Sequence, residues 1–154
     1  MATLLKVDHL EVKYGDLIGV ADVSFEVPEG SVVALLGSNG AGKTTTLNAI
    51  AGTARVSAGT VAFDGENIEG QPAYAIVRKR LALSPEGWRL FTMQSVENNL
   101  LLGATPLSDR KRIPGLLERV YAVFPRLAER RNQRAGTMSG GERDRKSTRL
   151  NSSH

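Results

Sequence analysis

Cysteine is absent from the 154 residues. No disulfide can staple the chain and no thiolate can ligate zinc. The composition fits a reducing compartment. Long apolar runs are absent too, so no segment reads as a membrane span. The N-terminus "MATLLKVDHLEVKYG" alternates and carries charge, unlike a signal peptide. No internal repeat or low-complexity linker precedes Asp144. Strong net charge is also missing. Arg145, Lys146 and Arg149 against Asp144 put half of the formal +4 into residues 144–154. What remains is too weak to argue for a nucleic-acid partner. Hydrophobic residues at 41% are enough for one domain with a core.

Up to about Ser84 the chain mixes strand and helix patterns. "LLKVDHLEVKYG" alternates through Leu5, Val7, Val12 and Tyr14, and Val23–Val27 does the same before the turn "PEG". Val32–Leu36 is continuously apolar and predicts a strand buried on both faces of a parallel sheet. A helix is expected from Lys43 to about Ala51. A strand follows from Gly59, ending in the Asp64-Gly65 turn, then a short helix in "QPAYAIVRKR" and a short strand in "LALS". Beyond Ser84 only helices are expected. Ser95 is placed to cap one, with Glu97 in its first turn. Leu116, Leu117, Val120, Val123, Phe124 and Leu127 lie at helical spacing. The pattern predicts an α/β core with an inserted helical subdomain.

"GSNGAGKT" matches G-x-x-x-x-G-K-[ST] from Gly37 to Thr44. The glycines allow positive φ and let backbone amides face a phosphate. The following helix aims its positive end at the anion. Gly37, Ser38, Asn39, Gly40, Ala41, Gly42, Lys43, Thr44 and Thr45 are therefore the candidate nucleotide-phosphate residues. Lys43 is expected on the outer phosphates and Thr44 on magnesium. Kinases, GTPases and transport ATPases share such a loop, so it does not fix the reaction. Tyr14, an aromatic at a strand end upstream, is a candidate to stack on the base; the alternative is an ordinary strand aromatic. His9 and Trp88 receive no site role. The charged stretch "PRLAERRNQR" reads equally as a solvated helix end or a contact.

"TMSGGE", Thr137–Glu142, gains meaning beside the phosphate loop. Together they resemble the ATP-binding subunits of ABC transporters, whose signature reads much like "LSGGE". The resemblance runs from Leu4 to about Arg143. It implies a phosphate-loop ATPase fold, ATP with Mg²⁺, and a homo- or heterodimer in which Ser139, Gly140, Gly141 and Glu142 act on the partner's nucleotide. It implies permease subunits as partners, a substrate-binding protein acting indirectly, and a cytoplasmic place on the inner face of the plasma membrane. It sets the core at about 1–84 and the helical subdomain at about 86–143. Glu86 stands at the core–helical loop where the family usually has Gln. "PEGWRLF" with "SVENNLLLG" resembles the ATPases of branched-chain amino-acid importers. A non-transport ABC ATPase and a small-molecule kinase are the competing readings.

The family's magnesium Asp, water-activating Glu and γ-phosphate His follow the signature helix, and none is recognisable here. "DRKSTRLNSSH", 144–154, instead resembles a translated sequencing adapter; a frameshift is the alternative. The expectation is a core lacking its C-terminal part, a non-native tail and a chain that hydrolyses no ATP.

Overall fold

A computed structural model describes residues 2–87 and 89–138. The chain divides into two compact units, one up to Leu83 and one from Ser84.

The first unit is built on a sheet of order β2-β1-β3-β4, antiparallel throughout: β1 (Thr3–Tyr14), β2 (Leu17–Pro28), β3 (Ala58–Phe63) and β4 (Glu66–Asn67). Gly15 and Asp16 join β1 to β2, with Gly15 at φ 61, as a two-residue hairpin requires. Asp64 and Gly65 both take positive φ between β3 and β4, so the expected Asp-Gly turn forms. Val7, Leu10, Val12, Val20 and Val61 lie on the buried face; an extra β1 residue between Val7 and Leu10, where His9 takes φ 49, resets the alternation. Against that face lies α1 (Lys43–Ile50), which buries Thr46, Ala49 and Ile50, the spacing of one helical stripe. Ile68 and, from α2 (Ala73–Arg78), Ile76 complete the core. The β1–β2 pairing slips twice near the hairpin. Glu11 faces Ala21 while Leu10 faces Val23, and Val12 faces Val20 while Lys13 faces Ile18. Asp22 and Gly19 are therefore extra residues of β-bulges.

Two expected strands do not form. Val32–Leu36 carries no strand, and Val32 and Leu36 are 99% and 87% exposed. Leu81–Ser84 is likewise without regular structure. Apolar character marks a segment for burial, but only a neighbouring ladder makes it a strand. No described strand pairs with either segment.

The second unit holds α3 (Val96–Gly103), α4 (Ile113–Val123) and α5 (Pro125–Glu129). The helical spacing from Leu116 to Leu127 is thus divided at Phe124, because Pro125 forces its predecessor out of the helical region. Val96, Leu100, Val120, Tyr121, Leu127 and Met138 form its core. Ser95 caps α3 as expected, its Oγ accepting from Asn98 N at 3.0 Å. The amides of Val96 and Glu97 donate to the carbonyls of Gln133 and Arg131, 2.9 and 3.0 Å. Ala135 N and Gly136 N donate in turn to Gln94 O and Thr92 O, both at 2.9 Å. The segment before α3 is thus laced to the segment after α5. The Tyr121 hydroxyl donates to Glu97 Oε2 at 3.0 Å. Burial first, then that carboxylate, pushes the phenol up to about 12. Among the described residues no helix is long and apolar enough to cross a membrane.

Two outcomes follow from these environments. Val32→Lys should leave stability within about 0.5 kcal/mol in a denaturant melt, whereas Lys at Val61, fully buried, should unfold the first unit. A Tyr that holds its proton more tightly when folded contributes stability that is lost as pH rises from the ordinary phenol range through about 12. Melts between pH 9 and 12 should show this loss in the wild type and less of it in Tyr121→Phe.

Candidate functional site: the phosphate loop

The loop leading into α1 is exposed from Ser31 to Ala41. It turns at Ser38–Ala41, where Ala41 N donates to Ser38 O at 3.2 Å. Gly40 and Gly42 take φ of 86 and 84, a region that strains other residues. Gly42 is also the N-cap of α1, without a side-chain cap. The opening amides of α1 are thus left to an acceptor other than a cap. A Cβ on Gly42 would sit 2.6 Å from Gly19 O and 3.0 Å from Val20 Cγ2. Only glycine lets the helix begin this close to β2.

Lys43 folds back over the loop. Its Nζ donates to Gly37 O at 2.8 Å and to Ser38 O at 2.7 Å. An anion arriving at the α1 terminus meets this ammonium, which exchanges two neutral acceptors for charged ones. Thr44 is exposed and Thr45 half-buried. Thr46 faces the core, its Oγ1 donating to Gly42 O at 2.9 Å. The residues fit a bound polyphosphate: glycine backbone, an uncapped helix start and one mobile cation. They also fit magnesium carried on phosphate oxygens, which takes few protein ligands and keeps its waters. Thr44 would supply the hydroxyl. Among the described residues no cluster of His, Asp and Glu forms a separate metal centre.

Tyr14 comes to the same place. It closes the β1–β2 hairpin, is 52% exposed, and its ring edge lies against Gly19. The point where a Gly19 Cβ would stand is 3.0 Å from Tyr14 Cε2 and 3.2 Å from Thr45 Cγ2. The structure therefore brings Tyr14 beside Gly19, which also meets Thr45 and Gly42 at the start of α1. Glu86 is an exposed residue at a bend in the second unit. The signature residues Ser139–Glu142, Trp88 and 144–154 lie outside the described residues.

Gly19 was not legible as part of this site. Its signal was a glycine inside an alternating strand, a mark of bulges and close backbone approach.

The sheet, α1 and this loop define the class: an α/β phosphate-loop NTPase domain, of which the chain carries part of the core. Residues 20–148 match the model of the ABC transporter family, and the chain belongs to that family. It is 42% identical over 139 residues to the high-affinity branched-chain amino acid transport ATP-binding protein BraG of Pseudomonas aeruginosa, covering 90% of this chain and 59% of that protein. It is 37% identical over 147 residues to the Nod factor export ATP-binding protein I of Ralstonia nicotianae, covering 92% and 44%. The chain thus spans roughly half the length of such relatives. Among solved structures, an ATP-binding subunit of an ABC transporter superposes with TM-score 0.80 at 28% identity, covering 94% of this chain and 59% of the other. A nucleotide-free ATP-binding cassette from an ABC transporter gives 0.77 at 22% over 97% and 66%, a likeness of fold alone.

Lys43→Ala should weaken MgATP binding by about 1.5–3 kcal/mol, the worth of a charge-assisted hydrogen bond. The fold should change little, because the carbonyls it frees stand in an exposed loop. Titration of both variants with MgATP checks this, and equal affinities refute it. If Tyr14 is the base platform, Tyr14→Ala should weaken ATP binding while Tyr14→Phe stays near neutral, because the ring and not the hydroxyl would supply the contact. Phe as damaging as Ala would remove the base-stacking role.

Proposed function

We propose that the chain is the nucleotide-binding portion of an ATP-hydrolysing subunit that powers import of branched-chain amino acids. The observation that carries the nucleotide reading is the uncapped α1 terminus behind a glycine loop, with the Lys43 ammonium over it. The transport reading is supported by the identity to BraG, whose name states that substrate class. In this reading the first unit is the partial ATPase core and the second the helical subdomain.

Each residue then has a task. Tyr14 stacks on adenine. The amides from Gly40 to Thr45 wrap the phosphates. Lys43 leaves Gly37 O and Ser38 O for the outer phosphate oxygens, so part of its gain is offset by the two bonds it gives up. The Thr44 hydroxyl would hold Mg²⁺, and the ion would supply charge neutralisation at the phosphates. Ser139, Gly140, Gly141 and Glu142 act on the nucleotide of a second ATPase subunit. Glu86 stands at the core–helical loop, where the family usually has Gln. Permease subunits hold the dimer at the inner face of the plasma membrane, and a substrate-binding protein acts through them. Catalysis needs a carboxylate to orient water. Residues 144–154, DRKSTRLNSSH, do not resemble the family's segment that carries it. We therefore expect no phosphate release from MgATP by the chain as written, and steady turnover would overturn that part.

Similarity to a Nod factor export protein favours a second reading, an export subunit. A chimera separates the two. Residues 1–142 of this chain replace the matching region of BraG, and uptake of radiolabelled leucine is measured in cells lacking their own BraG. Restored uptake is expected. A chimera that binds ATP yet supports no uptake would refute the import reading.

A further inference from the structure

We propose that Gly19, the extra residue of the β2 bulge, positions the Tyr14 ring and so sets how strongly the site prefers a nucleotide to a bare polyphosphate. The inference rests on the base-stacking role of Tyr14 given above.

Two independent observations carry it. The first is register. Val12 pairs with Val20 and Lys13 with Ile18, so Gly19 has no cross-strand partner. A bulge re-aims the chain locally, and this one falls between the hairpin that carries Tyr14 and the strand that meets α1. The second is steric. The space beside Gly19 is bounded by the Tyr14 ring edge, 3.0 and 3.2 Å from an added Cβ, and by the Thr45 methyl at 3.2 Å. The Gly19 carbonyl stands beneath Gly42, where a Cβ would reach it at 2.6 Å. One residue therefore touches the aromatic, the first turn of α1 and the N-cap glycine. Gly19 acts through Tyr14 and is a positioning residue.

The two neighbours differ in freedom. The ring is 52% exposed and can swing outward. Thr45 belongs to a helix fixed through the buried Thr46, Ala49 and Ile50. Bulk at position 19 is thus relieved by the ring, which leaves the phosphate helix and takes the base platform with it. The polyphosphate contacts of Lys43 and the α1 amides do not depend on that ring.

The test measures affinity for MgATP and for magnesium tripolyphosphate on the 154-residue chain. Wild type, Gly19→Val, Gly19→Ala, Tyr14→Ala and the double variant Gly19→Val/Tyr14→Ala are compared. Wild type should prefer ATP. Gly19→Val should lose roughly tenfold in ATP affinity, the scale of one base–aromatic stack, with tripolyphosphate binding unchanged. In the Tyr14→Ala background Gly19→Val should cost nothing further. An equal loss for both ligands, or a full loss persisting without the Tyr14 ring, would show a merely structural role and overturn the inference. If Gly19→Val does not fold, Gly19→Ala carries the test. Its Cβ demands that the ring give by a few tenths of an ångström, so the preference for ATP should fall by about twofold, a fraction of a stacking contact. An undiminished preference overturns the proposal. A wild type that binds ATP and tripolyphosphate equally would overturn the stacking role itself, and the inference with it.

Discussion

The start of α1 meets β2 at a point where no side chain fits. Gly42 stands over the Gly19 carbonyl so closely that a Cβ would fall 2.6 Å from it. That approach fixes the helix on the sheet, and with it everything the helix carries. Thr46, Ala49 and Ile50 are turned into the core, and Thr44 is left facing outward. The same approach points the helix's opening amides into the loop. The candidate phosphate site, built this way, owes little to side chains. Its geometry comes from backbone held by burial on one side and by glycine's tolerance of positive φ on the other.

The two principal helix starts make opposite use of one physical problem. At α3 the orphan amides are met by Ser95 Oγ and by the carbonyls of Arg131 and Gln133. That terminus is satisfied within the protein and serves structure. At α1 the N-cap is a glycine with no side chain to offer. Charge follows the same division. Lys43 is kept at the loop by carbonyls it can leave at modest cost, whereas Glu97 at the α3 start is engaged by Tyr121. The contrast separates a terminus left without a side-chain cap from one already occupied by the fold.

Much of the site was legible because its chemistry is local. The loop from Gly37 to Thr44 is a spacing rule, and the Ser95 cap and the Asp64-Gly65 turn are short-range rules of the same kind. What failed depended on partners. Val32–Leu36 has the composition of a doubly buried strand, yet hydrophobicity cannot supply a neighbouring ladder, and the segment stays exposed and unpaired. The helical period from Leu116 to Leu127 continued through Pro125 because periodicity is blind to the conformation imposed on Phe124. Gly19 was hidden for another reason. A bulge is a mismatch between two strands, so the glycine in one strand hints at it while the extra residue is located only by the pairing.

The lacing of residues 92–97 to residues 131–136 gives the second unit a closed outline. The segments on either side of its helices, 92–97 and 131–136, are held together by backbone bonds, and Val96, Leu100, Val120, Tyr121, Leu127 and Met138 share one core. The connection between α3 and α4 contributes little to that closure, and Thr105, Ser108 and Asp109 are exposed. The polypeptide there is a tether more than a scaffold. A protease nick at Ser108 would leave two pieces that stay docked, and new termini or a reporter inserted there would report on the unit without dismantling it.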